Sequence, residues 1–112
     1  MYRVLLVDDE ESVLKVLKTS IDWLALGVEA PVTASDGAQA LEVMERAPFH
    51  LLITDIKMPR MGGLELIRRV RQLYPETRCI LLTAYSEFDY AKEAIRLGVE
   101  NYLLKPVQKE EL

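Results

Sequence analysis

Leu51-Leu52-Ile53-Thr54-Asp55-Ile56-Lys57-Met58-Pro59-Arg60-Met61-Gly62-Gly63 holds the signal that decides the fold. Leu51 to Thr54 is a continuous apolar and β-branched run, which reads as a buried strand, and it stops at a carboxylate, Asp55. Lys57 to Gly63 is a loop, because a proline and two adjacent glycines interrupt both helix and sheet. Leu64, Ile67 and Val70 then recur at helical spacing. Strand, acid-bearing loop, helix is thus the unit to look for on either side.

It recurs. Val4 to Val7 is an apolar run cut off by Asp8 and Asp9. Leu14, Leu17, Ile21 and Leu24 follow at helical spacing, predicting a helix over about 11 to 24. Val28 to Ala34 reads as the second strand, with Pro31 inside it; a proline lacks the ladder donor, so this is an edge strand. Asp36 caps a helix over about 37 to 46 that turns Ala38, Leu41 and Met44 inward. On the other side, Ile80 to Thr83 is the fourth strand. Phe88, Ala91, Ala94 and Ile95 mark a helix that Gly98 stops. Tyr102 to Leu104 is the fifth strand, Pro106 follows, and a last helix begins near Gln108. Runs that are apolar throughout, not alternating, belong to strands buried on both faces, which implies a parallel sheet covered by helices. Ligands of such sheets bind beyond the carboxyl ends of the strands, where the strand order switches.

Bulk properties set the limits. A chain of 112 residues, 50% hydrophobic and 29% charged, makes one domain with a real core. Its formal net charge of −4 argues against holding nucleic-acid phosphates or an anionic membrane surface by itself. The lone Cys79 allows no internal disulfide, which suits a reducing compartment. Asp8 and Asp9 end the first apolar run too early for a signal peptide, and no run nears the roughly 18 residues that cross a bilayer. These features point to a soluble cytoplasmic protein.

The strand ends carry the chemistry. Asp8 and Asp9 close the first strand, with Glu10 after them; Asp55 closes the third, Thr83 the fourth, and Lys105 follows the fifth. Clustered carboxylates repel and call for a counter-ion. Mg²⁺, which takes a few carboxylate oxygens and keeps several waters, fits. With a lysine and a hydroxyl beside it, such a cluster suits phosphoryl transfer, the cations neutralising charge on the transferring group. Each piece also has a plainer reading. An acidic pair suits a helix start, Asp55 a turn before Pro59, Thr83 an ordinary strand position and Lys105 a solvated strand end. All five at one sheet edge favour the functional reading.

The acidic pair, the stretch Ile53 to Gly63, Leu82-Thr83-Ala84 and Tyr102-Leu103-Leu104-Lys105-Pro106 together resemble the receiver domain of two-component response regulators, over essentially the whole chain. The resemblance implies a flavodoxin-like, doubly wound α/β fold: a five-stranded parallel sheet of order 2-1-3-4-5, helices on both faces and, in this chain, a truncated last helix. It implies that Asp55 accepts a phosphoryl group from a sensor histidine kinase. Asp9 binds Mg²⁺ directly, Asp8 through water, and the Lys57 backbone carbonyl completes the protein ligands. Lys105 pairs with phosphoryl oxygens, Thr83 donates its hydroxyl to them, and Tyr102 turns inward as Thr83 moves. The resemblance further implies a cis Lys105–Pro106 peptide bond and a site left open by the small Ala84. The resemblance also implies that the face from the fourth strand to the fifth helix switches and is a candidate surface for homodimers. Trp23-Leu24, Gly27 and the run Tyr85 to Ile95 further resemble receivers that precede an AraC-type helix-turn-helix domain. The implied whole is a transcription regulator whose output domain lies outside this single-domain chain.

Other residues read as structural: His50 at the surface, Cys79 as a small buried filler, Met44, Met58 and Met61 as packing, Trp23 at the end of the first helix, and Arg68, Arg69 and Arg71 as a solvated helix face. Two further functions compete. One is a receiver that only binds; the presence of Asp8, Asp9, Asp55 and Lys105 speaks against it. The other is a phosphatase with an aspartate nucleophile; those resemble Asp-x-Asp after the first strand, where this chain has Asp8-Asp9-Glu10. The reading that results is not an enzyme acting on external substrates but a domain that catalyses its own aspartyl phosphorylation and dephosphorylation.

Overall fold

The computed structural model describes residues 2–56, 58, 60–83 and 101–104, with Thr83 and 101–104 described by backbone alone. The elements run β1 (Val4–Val7), α1 (Glu11–Ser20), a 3-10 turn (Leu24–Leu26), β2 (Val32–Ala34), α2 (Gly37–Arg46), β3 (Leu51–Asp55), α3 (Gly63–Leu73), β4 (Arg78–Thr83) and β5 (Asn101–Leu104). All ladders are parallel. β1 lies between β2 and β3, β4 lies outside β3, and the backbone of β5 runs beside β4. The expected helices near residues 88–95 and after Gln108 lie outside the described residues.

Successive strand residues face opposite sides of the sheet, so each strand feeds two cores. Leu5, Val7, Leu52 and Leu81 pack with Ala40 and Met44 of α2 and Leu66, Ile67 and Val70 of α3. Val4, Leu6, Ile53 and Leu82 pack with Leu17 of α1 and with Trp23. Helices therefore cover both faces, as the unbroken apolar strands require. Met44 is buried, and Met58 and Met61 are partly buried against the first core, in keeping with a packing role.

Two boundaries differ from those read in the sequence. The first helix ends at Ser20, not near residue 24. The hydroxyls of Thr19 and Ser20 donate to the carbonyls of Lys15 (2.7 Å) and Val16 (2.5 Å), four residues back, and Ile21 is extended. The chain folds over, and Trp23 takes the inward position, its Nε1 donating to the Leu17 carbonyl at 3.1 Å. Leu24, expected inward, is 65% exposed. The second strand is an edge strand as expected, but it starts at Val32, so Pro31 precedes the ladder instead of interrupting it. Val28 makes only an isolated parallel bridge to Tyr2.

Candidate functional site: the carboxylate edge

Register alone brings the acids together. Val7 of β1 is level with Thr54 of β3, so Asp8 and Asp55 are the next residues on adjacent strands. Asp55 is level with Leu82 of β4, and Thr83 with Leu104 of β5. Asp8, Asp55, Thr83 and the end of β5 at Leu104 thus follow one another across the carboxyl end of the sheet. Here too the order switches, since β1 leads to β2 on one side and pairs with β3 on the other.

Asp8 and Asp55 are buried, 1% and 5% exposed, whereas Asp9 and Glu10 are open to solvent. The Asp8 carboxylate accepts the Glu10 N–H at 2.9 Å, which turns the chain back over the strand end. Ligand oxygens of Asp8, Asp9 and Glu10 all lie within 4.8 Å of one another. Glu10 was not among the metal ligands expected from the sequence; its signal was its place two residues beyond a strand-ending aspartate. A donor set of carboxylates alone is hard and anionic, which fits Mg²⁺ and not a softer metal.

The loop after Asp55 is drawn tightly to its strand. The Gly63 N–H donates to the Ile56 carbonyl at 2.7 Å, and a Cβ at Gly63 would lie 1.9 Å from the Asp55 carbonyl oxygen, so only glycine fits. The Thr54 hydroxyl donates to the same Asp55 oxygen at 2.9 Å. A second tie leads to α2. Asp36 caps that helix as expected, Oδ1 accepting the Gln39 N–H at 2.9 Å, while Oδ2 accepts Arg60 Nε at 2.9 Å and also Arg60 Nη2. The Gln39 N–H and the Arg60 guanidinium hold the Asp36 carboxyl below the usual aspartate range against the opposing effect of burial. This pair was not read in the sequence.

Lys57 and Lys105 lie outside the described residues, as do the side chains of Thr83 and Tyr102, the Lys105–Pro106 bond and Ala84. The apolar cavity of about 340 Å³ bordered by Met44, Phe49, Tyr74 and Pro75 lies at the opposite, amino-terminal edge of the strands, away from every carboxylate named above. His50 at that edge is exposed and accepts the Arg3 N–H through Nδ1 at 3.0 Å. Cys79 is fully buried. Arg68 and Arg69 are exposed on α3 and pair with Glu65, whose carboxyl the Arg69 hydrogen bond lowers.

The family model for the response regulator receiver domain matches residues 4–112. The chain belongs to this family. Among relatives of this receiver domain, YesN, a transcriptional regulatory protein of Bacillus subtilis, is 42% identical over 112 residues; the match takes in 100% of this chain and 30% of YesN. HptR, a transcriptional regulatory protein of Staphylococcus aureus, is 37% identical over the whole receiver domain, which corresponds to 44% of HptR. The chain therefore spans less than half the length of these relatives. Among solved structures, the receiver domain of AraT, a response regulator from Geobacillus stearothermophilus, superposes with a TM-score of 0.92 at 41% identity, covering 98% of this chain and 85% of that one. A two-component transcriptional regulator AraC from Clostridium phytofermentans gives 0.91 at 36%, covering 99% and 86%. The flavodoxin-like parallel fold and the AraC-type affinity read in the sequence both agree with these neighbours. No helix among the described residues is long and apolar enough to cross a membrane.

Proposed function

We propose that this chain is a phosphoacceptor receiver: a sensor histidine kinase transfers a phosphoryl group to Asp55 in a Mg²⁺-dependent reaction, and the modification controls an output domain. The observation that carries this reading is the register that sets buried Asp55 beside Asp8, next to the carboxylate group of Asp8, Asp9 and Glu10.

A carboxylate oxygen of Asp55 attacks phosphorus as the bond to the donor nitrogen breaks, and the departing electron pair returns to the imidazole, which takes up a proton. The product is an acyl phosphate, and water later cleaves it to restore the carboxylate. Asp55 is a weak nucleophile in an anionic setting, so neutralisation is what the site must supply. Asp8, Asp9, Asp55 and the Lys57 carbonyl would hold Mg²⁺, which when bound would offset charge on the transferring group. Lys105 pairs with phosphoryl oxygens, and Thr83 donates its hydroxyl to them. The acyl phosphate adds close to two negative charges, which draw Thr83 in and let Tyr102 follow. The face from the fourth strand to the fifth helix of the complete five-stranded fold then shifts between two packings. In the longer protein that face meets its partners: a second copy of the chain and an output domain, which the AraC-type neighbours suggest is a DNA-binding helix-turn-helix unit. This domain contacts neither nucleic acid nor membrane and works in the cytoplasm.

Intact-mass analysis after incubation with acetyl phosphate tests the reading. One phosphoryl mass is expected in wild type with Mg²⁺, and none without Mg²⁺ or in Asp55→Ala. Stoichiometric labelling of folded Asp55→Ala would remove Asp55 from its role.

A further inference from the structure

Arg60 is the one non-glycine among the described residues with a left-handed backbone, at φ 65°. Side-chain-bearing residues rarely adopt it, so the surroundings hold it there. The holding group is Asp36, whose Oδ2 takes both Nε and Nη2 of the guanidinium. The next residue is tied as well: the Met61 carbonyl accepts the Gly37 N–H at 3.1 Å, and a Cβ at Gly37 would come within 2.7 Å of Met61 Cγ. Two adjacent loop residues are thus fastened to two adjacent residues at the start of α2.

The pair is lopsided. The Asp36 side chain is 1% exposed and that of Arg60 71%. With the guanidinium largely in water the attraction is screened, so the pair's effect on global stability is modest. What this one does locally is different. The loop from Asp55 is fastened at its far end by Gly63 to Ile56, the residue after β3, and in its middle by Arg60 and Met61 to the start of α2, and Lys57, whose carbonyl is an expected metal ligand, lies between the fastenings in sequence.

We propose that Asp36 and Arg60 form a positioning latch that sets the loop after Asp55 and thereby the affinity of the site for Mg²⁺. The proposal rests on the phosphoacceptor reading above. The latch acts through the loop and touches no reacting atom. Support around metal ligands is worth about 10- to 100-fold in affinity, and a latch at the loop's midpoint belongs at the lower end.

The experiment uses Mg²⁺ alone, titrated into wild type, Arg60→Ala, Asp36→Asn, Arg60→Lys and the Asp36→Asn/Arg60→Ala double variant. Binding is followed by amide NMR shifts of Asp9 and Ile56, and urea denaturation without Mg²⁺ checks that each variant is folded. Asparagine caps helices about as well as aspartate, so Asp36→Asn keeps α2 while removing the ionic partner. The half-saturating Mg²⁺ concentration should rise about tenfold in Arg60→Ala and in Asp36→Asn. The double variant should match either single one, because one pair is broken only once. Arg60→Lys, with the charge but not the fork, should recover part of the affinity. Acetyl phosphate labelling should show the same shift in Mg²⁺ requirement and reach the same plateau. Unchanged Mg²⁺ affinity in folded Arg60→Ala, or additive losses in the double variant, would overturn the latch while wild-type labelling keeps the receiver reading. Absence of Mg²⁺-dependent labelling in wild type would overturn both.

Discussion

Asp36 shows how one carboxylate serves two elements. It caps α2 through Gln39 and holds Arg60 of the loop after Asp55, and these contacts lower its pKa in the folded protein. A carboxyl whose folded pKa lies below its unfolded value contributes stability above the unfolded value, about 3.9, and loses it as pH falls through the folded value. Wild type should therefore exceed Asp36→Asn in unfolding free energy at pH 6, and the gap should close below about pH 4. Urea denaturation across that range measures it; a gap that stays constant down to pH 2.5 would contradict the assignment. The aspartate's capping role was legible in sequence, because a short acceptor ahead of an amphipathic run is a local signal. Its partner was not, because Arg60 is 24 residues away and reaches it only through a left-handed backbone that no residue type announces. Gly63 was read only as one of two adjacent glycines that interrupt helix and sheet. The structure adds a stricter reason, the approach of the Asp55 carbonyl.

At the scale of elements, the strands were legible and one helix end was not. Buried parallel strands appear as short apolar runs with a polar stop; β1 and β3 are closed by acids and β4 ends in Thr83. The spacing Leu17, Ile21, Leu24 continues the helical period past the real end of α1, since Ile21 still packs on the same core after the backbone has become extended. Trp23 then does what Leu24 was expected to do. The two leucines offer a direct comparison. Leu17, 3% exposed, should cost about 2–5 kcal/mol as Leu17→Ala. Leu24→Gln, at a largely exposed position, should stay within about 0.5 kcal/mol. Equilibrium denaturation decides; a loss above about 2 kcal/mol at Leu24 would restore the longer helix.

For the molecule as a whole, the same register that builds the two cores also concentrates negative charge at one edge of the sheet. Asp8 and Asp55 follow directly on buried strand residues, so neither can move away from the other without disturbing a core. Apolar burial thus holds together carboxylates that would otherwise separate, and the site is pre-organised at some expense in stability. A cation that binds only the folded chain should repay this. Linkage gives a gain of about 2.7 kcal/mol when Mg²⁺ reaches 100 times its dissociation constant. Expressed in urea denaturation, the midpoint should move upward with Mg²⁺ at constant ionic strength set by KCl, with the slope unchanged because the surface exposed on unfolding is the same. Asp8→Asn makes the argument specific. An amide keeps an oxygen for the Glu10 N–H but removes one charge from the cluster, so without Mg²⁺ the variant should equal or exceed wild type in stability. With Mg²⁺, wild type should gain and the variant should lag, so that the two curves cross. An identical gain in both would mean that Mg²⁺ acts by screening the net charge of −4 rather than by binding at the strand ends.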